Sequence, residues 1–176
     1  MRRLALAALL AVAGPALALD AFPSSRALTF DGTRLVEAAD GTTRVERWRE
    51  FVPAGETLER WTKLASVREY PTHTDVKALA GELVRALKRR YPEAPSSILA
   101  NPSTGEVIVD FIVWPPDRAF TEFNLFRYGK RDGGGVVAQQ YALRVYGDAT
   151  AFLRGLKAER VRLLDLMAKE GLRAAR

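Results

Sequence analysis

One segment, Glu106 to Trp114, restricts the fold more than any other. Val107, Val109, Phe111 and Val113 alternate with Ile108, Asp110, Ile112 and Trp114, so a strand here shows largely apolar side chains to both faces. Such a strand belongs in the middle of a sheet that is covered on both sides. Two amphipathic helical patterns are available as covers. After Pro71, the residues Val76, Leu79, Ala80, Leu83, Leu87 and Tyr91 fall on one helical face. Thr72 or Thr74 is placed to cap that helix. Lys88, Arg89 and Arg90 in its last turn complement the helix dipole, and Pro92 stops it. A second helix, capped by Asp148, closes the chain with Phe152, Leu156, Leu163 and Met167 as its buried stripe.

The remaining segments read as strands joined by short loops, which implies antiparallel pairing. Residues 27–30, 34–38 and 42–52 open the set, with Asp31-Gly32 and Asp40-Gly41 as turn signals between them. The third segment is ambiguous, because Val45, Trp48 and Phe51 recur every three residues. The turn before it and Pro53 after it favour a strand. Residues 56–61 are expected to form one short helical turn before a strand over 62–69. Residues 96–100 and 106–114 flank a hairpin loop, Asn101 to Gly105. Residues 119–128 and 136–146 make a further pair joined through Lys130 to Gly135. No internal sequence repeat is visible. The expected fold class is α+β, an antiparallel sheet flanked by two main helices in an α/β/α sandwich.

Residues 1–18 read as an export signal. Arg2 and Arg3 give a positive start, Leu4 to Ala13 an apolar run, and Gly14-Pro15 breaks it. Ala16-Leu17-Ala18 then offers small residues for cleavage after Ala18. The run is about half the ~20 residues needed to span a bilayer core, and no second long apolar stretch follows. The arginine pair lacks the context of twin-arginine export, and no cysteine follows the cleavage point to carry a lipid. The sequence therefore predicts a signal peptide, 1–18, and one mature domain, 19–176, periplasmic or secreted and without a stable membrane anchor. The 176-residue chain has 27 Lys and Arg against 21 Asp and Glu, a net charge of +6, and two of those arginines belong to the leader. Export argues against a nucleic-acid partner for this modest excess. With no cysteine and a single histidine, thiol catalysis, disulfide exchange, iron–sulfur clusters and multi-histidine metal sites are excluded within one chain. No cofactor and no metal are expected.

The element order, with an early hairpin and a closing helix against an antiparallel sheet, resembles the PsbP-like α/β/α sandwich. The stretch Phe51-Val52-Pro53-Ala54-Gly55-Glu56-Thr57-Leu58-Glu59-Arg60-Trp61-Thr62 is also similar to one in small exported proteobacterial proteins of unknown function. There an extended strand runs into a Gly-Glu turn and a Trp-Thr pair. Members of the PsbP-like fold are mostly binding or assembly-assisting modules, so the resemblance implies a non-enzymatic role. It carries no metal or photosystem contact onto these residues.

Trp114-Pro115-Pro116 forms a stiff aromatic platform at a strand end, and Phe126, Arg127 and Tyr128 on the next strand are expected nearby. Trp114, Arg127 and Tyr128 are thus the candidate recognition cluster, unless they only close the core edge. Trp48 and Trp61 carry the same ambiguity. His73, with Asp75 two residues on, is either a general base or a residue of the helix cap. Asp110 and Glu122 lie on neighbouring strands and could form the carboxylate pair of a glycosidase. The competing expectation is that Asp110 is a buried ion-pair partner of Arg144 or Arg127. Asp132-Gly133-Gly134-Gly135 leads into a strand, with its lysine before the glycines, so it reads as a hairpin loop and not a phosphate cradle. No nucleophile elbow is present.

These readings favour a soluble exported binding or accessory module that contacts a protein or a cell-envelope component. The alternatives are a small envelope hydrolase using Asp110, Glu122 or His73, and a scavenger of an apolar ligand held between sheet and helix.

Overall fold

The computed structural model describes residues 25–175, so the expected signal segment and its cleavage point lie outside the described residues. Four strands come first: β1 (Ala27–Phe30), β2 (Thr33–Thr42), β3 (Arg47–Pro53) and β4 (Lys63–Tyr70). The helix α1 (Val76–Arg90) follows, then β5 (Ser96–Ala100), β6 (Val107–Val113), β7 (Phe120–Lys130) and β8 (Val136–Tyr146). The helix α2 (Thr150–Lys169) and the short β9 (Arg173–Ala174) complete the order. All strands join one nine-stranded sheet, β5-β6-β7-β8-β4-β3-β2-β1-β9, and every neighbouring pair is antiparallel. A pattern of four strands and a helix therefore occurs twice. The two four-strand meanders meet along β4 and β8, from Lys63 opposite Leu143 to Tyr70 opposite Val136.

Each helix covers one face, which gives the expected α+β architecture with α1 and α2 on opposite sides. On the α1 side, Val76, Leu79, Ala80 and Leu87 pack on Val107, Val109, Phe111, Phe126 and Tyr128. On the α2 side, Leu156, Leu163 and Met167 pack on Leu28, Phe30, Phe51, Phe123, Leu125 and Tyr141. Burying each of these large anchors contributes roughly 2 kcal/mol. The apolar strand β6 is one position in from the β5 edge and not at the centre, but it is covered on both faces as its sequence demands. Its odd-numbered residues meet α1, and Ile108 and Ile112 pack against the α2 core.

Several local expectations are corrected. Asp40-Gly41 is not a turn but part of β2, opposite Arg49 and Trp48. Its glycine is needed because the Trp48 indole lies across it, where a Cβ would sit 2.5 Å from a ring carbon. The turn comes later, where Thr43 Oγ1 accepts from the backbone N–H groups of Val45 and Glu46, and β3 begins only at Arg47. Residues 56–61 make no helical turn. Instead the Glu56 carboxylate accepts from Thr62 N at 2.6 Å and Thr62 Oγ1 at 2.7 Å, which ties the loop into a closed ring. The cap of α1 is Asp75 and neither threonine, with Oδ1 accepting from Ala78 N at 3.0 Å. The cap position of α2 is Ala149 and not Asp148, although the Asp148 carboxylate, one residue ahead of it, accepts from Thr150 N at 2.9 Å.

Candidate functional site

An aromatic and cationic cleft lies where β6 leaves the sheet beside the end of α1. Two consecutive prolines restrict the backbone after Trp114. The chain then turns, with Arg118 N donating to Pro115 O at 3.0 Å and Ala119 N to Asp117 Oδ1 at 3.1 Å. Arg118 closes this turn in the left-handed region, φ +54°, a conformation costing an L-residue roughly 1–2 kcal/mol. That conformation accompanies a guanidinium laid over the Trp114 ring, 4.8 Å from its centroid. The facing wall comes from the last turn of α1 and the residues after it. Lys88 Nζ donates to Ala94 O at 2.6 Å and fixes that connection, and Arg90 lies 5.8 Å from the Tyr91 ring centroid. Between the walls is a cleft of about 470 Å³, bounded by Arg90, Tyr91, Pro92, Trp114, Pro116 and Arg118.

A second cleft, about 440 Å³, continues from it under α1, sharing Arg90, Tyr91 and Val113. Its floor on β7 and β8 is polar and internally paired. Gln140 Nε2 donates to Asn124 Oδ1 at 2.8 Å, and Asn124 Nδ2 donates to Glu122 Oε1 at 2.8 Å. Arg144 completes the chain through Nε and Nη2 to Glu122 Oε2 at 3.1 and 2.8 Å. The Arg144 guanidinium is also held between two rings, 3.8 Å from the Trp61 centroid and 4.3 Å from that of Phe120. Trp61 in turn exchanges hydrogen bonds of 3.1 Å with the Tyr146 hydroxyl through its backbone N–H and C=O. The Gly-Glu turn and Trp-Thr pair thus have a physical role. The Glu56–Thr62 ring delivers Trp61 onto Arg144 and pins the β3–β4 connection to β8.

A protein-family model matches residues 22–172. The chain belongs to that family. Its span takes in β1 to β8, both helices and all of the lining of the first cleft, and ends before β9. No curated protein matches the sequence.

Of the predicted cluster, Trp114 lines the cleft, but Arg127 and Tyr128 do not join it. The β6–β7 register places Val113 opposite Glu122 and Val107 opposite Tyr128, so Tyr128 lies at the far end of the strand pair from Trp114. Tyr128 is buried against α1, and burial pushes its phenol well above the ordinary range. Arg127, its neighbour in sequence, points to the opposite face. There Nε and Nη2 donate to Glu106 Oε1 at 3.1 and 2.7 Å, and Nη1 donates to Met167 O at 3.0 Å. Arg127 therefore fastens the end of α2. The cation that accompanies Trp114 is Arg118, four residues along the same loop; the short Pro-Pro turn between them was the available signal.

Asp110 and Glu122 stand on opposite faces of the sheet, since Asp110 pairs with Leu125 and Glu122 with Val113. They form no carboxylate pair. Asp110 is a buried ion-pair partner as expected, but its cation is Arg160 of α2, not Arg144 or Arg127. Arg160 Nε reaches Oδ1 at 2.7 Å, Nη2 reaches Oδ2 at 2.8 Å, and Ser97 Oγ donates to Oδ2 at 3.0 Å. His73 Nδ1 is buried without a hydrogen-bond partner, and its ring meets Tyr70 edge-on at 5.6 Å. Asp75 is occupied at the start of α1. The glycine run forms a hairpin, with Arg131 N donating to Gly135 O at 3.2 Å. Among the described residues, no group of three His, Cys, Asp or Glu side chains is arranged to hold a metal, and no helix is long and apolar enough to cross a membrane.

Proposed function

We propose that the protein is an exported binding module of the cell envelope, and that the cleft beside Trp114 is its ligand or partner seat. One observation carries this reading. A stiff aromatic wall is completed by an arginine held in an unfavourable backbone conformation, and such strain persists where the surroundings enforce it and concentrates at working surfaces. The leader supports export, and the family match begins at residue 22, after the expected cleavage point. The PsbP-like resemblance favours binding over catalysis. So does the placement of Asp110 and Glu122 on opposite faces of the sheet, each in its own ion pair with Arg160 or Arg144 and not facing the other across a substrate.

The test is expression of the full chain with its own leader, followed by mass measurement of the periplasmic fraction and affinity capture from envelope extract. A mature chain starting at Leu19 is expected, together with a captured component that Trp114→Ala loses while its thermal midpoint is kept. A chain retained in the cytoplasm with its leader intact would refute export. Identical captures by the wild type and Trp114→Ala would refute the cleft.

A further inference from the structure

Arg68, Arg127, Arg144 and Arg160 each reach a carboxylate. Arg90 and Arg118 differ from them. They line one cleft from its two walls, Arg118 lies over the Trp114 ring with Arg90 farther out beside Tyr91, at 4.8 and 5.8 Å from the ring centroids, and neither meets a carboxylate among the described residues. The acid nearest in sequence to Arg118 is Asp117, which already accepts a hydrogen bond from Ala119 N. A guanidinium stacked on a ring keeps its in-plane N–H donors available at its edge, in the fork that suits a carboxylate or phosphate.

Two features oppose an anion and set the balance. The end of α1 carries about half a negative charge, and Glu93 also lines the cleft. Arg90 and Arg118 outweigh both, and Arg89 adds to them from the same helical turn. The remaining walls, Tyr91, Pro92, Trp114 and Pro116, are flat and apolar.

We propose that this cleft selects an anionic head group, a carboxylate or a phosphate, carried on a flat apolar body that lies against Trp114 and Tyr91. The inference rests on the reading of the cleft as a binding seat and adds the class of ligand. Calorimetric titration of the exported protein with naphthoate, naphthyl phosphate and the neutral naphthalenemethanol tests it, and the two anions distinguish the two head groups. At least one anion is expected to bind roughly tenfold tighter than the alcohol. Arg118→Gln and Arg90→Gln should each weaken binding of that anion several-fold more than binding of the alcohol. Glu93→Gln should strengthen anion binding, and added salt should weaken it.

Equal binding of all three probes would overturn the ligand class while leaving the cleft as a seat. Absence of binding by every probe, in protein whose Trp114→Ala variant still loses its captured component, would also overturn the class alone. If that variant lost nothing either, both readings would fall.

Discussion

Arg160 is one side chain on which the attachment of α2 to the sheet depends. Its removal strands the Asp110 carboxylate, 5% exposed, with Ser97 as its remaining donor. Arg160→Leu is expected to cost roughly 2 kcal/mol, less than breaking a fully buried pair, because the Arg160 side chain is 34% exposed and partly screened. Asp110→Leu combined with Arg160→Leu should recover most of that loss, as read from urea midpoints; two additive losses would show that the ion pair is not the cause. The sequence made half of this arrangement legible. A lone aspartate in an apolar strand requires a cation, but the one it meets lies 50 residues away on a helix, and no local period encodes that distance. Gly41 misled for a related reason. Asp-Gly is a strong turn signal, yet here the glycine makes room for an indole from the next strand.

At the scale of elements, periodicity located the helices and most strands, because each buries a stripe or a face with its own repeat. Caps and short loops were less legible, since several nearby polar residues can serve and only the final geometry selects among them. The end of α2 shows how such a junction is built. Arg127 holds Met167 O, Gln139 Oε1 accepts from Leu172 N at 3.0 Å, and Gly171 turns at φ +64°, where a Cβ would come within 2.4 Å of that same oxygen. Arg127→Ala removes three hydrogen bonds and leaves the half-buried Glu106 carboxylate without its cation, with Thr104 Oγ1 as a remaining donor. A loss of roughly 2 kcal/mol is expected, with faster amide exchange confined to the last turns of α2 and β9. Uniformly faster exchange would instead mean that Arg127 supports the whole sheet. The sequence placed Arg127 and Tyr128 together at a binding surface because adjacent residues are close along the chain. A strand sends them to opposite faces, and the register carries both away from Trp114.

Across the whole molecule, three tyrosines register how much phenol the two cores enclose. An unfolded tyrosine has its ordinary value near 10, Tyr70 is pushed up to about 12 by burial, and burial moves Tyr128 and Tyr141 in the same direction. The folded chain therefore keeps protons that the unfolded chain surrenders. This contribution to stability is complete below pH 10 and is lost as the pH rises from 10 through about 12 for Tyr70. The thermal midpoint should fall over that interval, and tyrosinate absorbance from these residues should grow together with loss of near-ultraviolet dichroism. Ionisation at an unchanged midpoint would contradict their burial. The doubled order of four strands and a helix also governs how the molecule is assembled in time. Each meander is continuous in sequence, whereas the β4–β8 seam joins residues separated by roughly half the described chain. Until β8 exists, the nascent first half carries a bare strand edge from Lys63 to Tyr70, and it depends on synthesis or delivery of the second half to shield that edge from other chains.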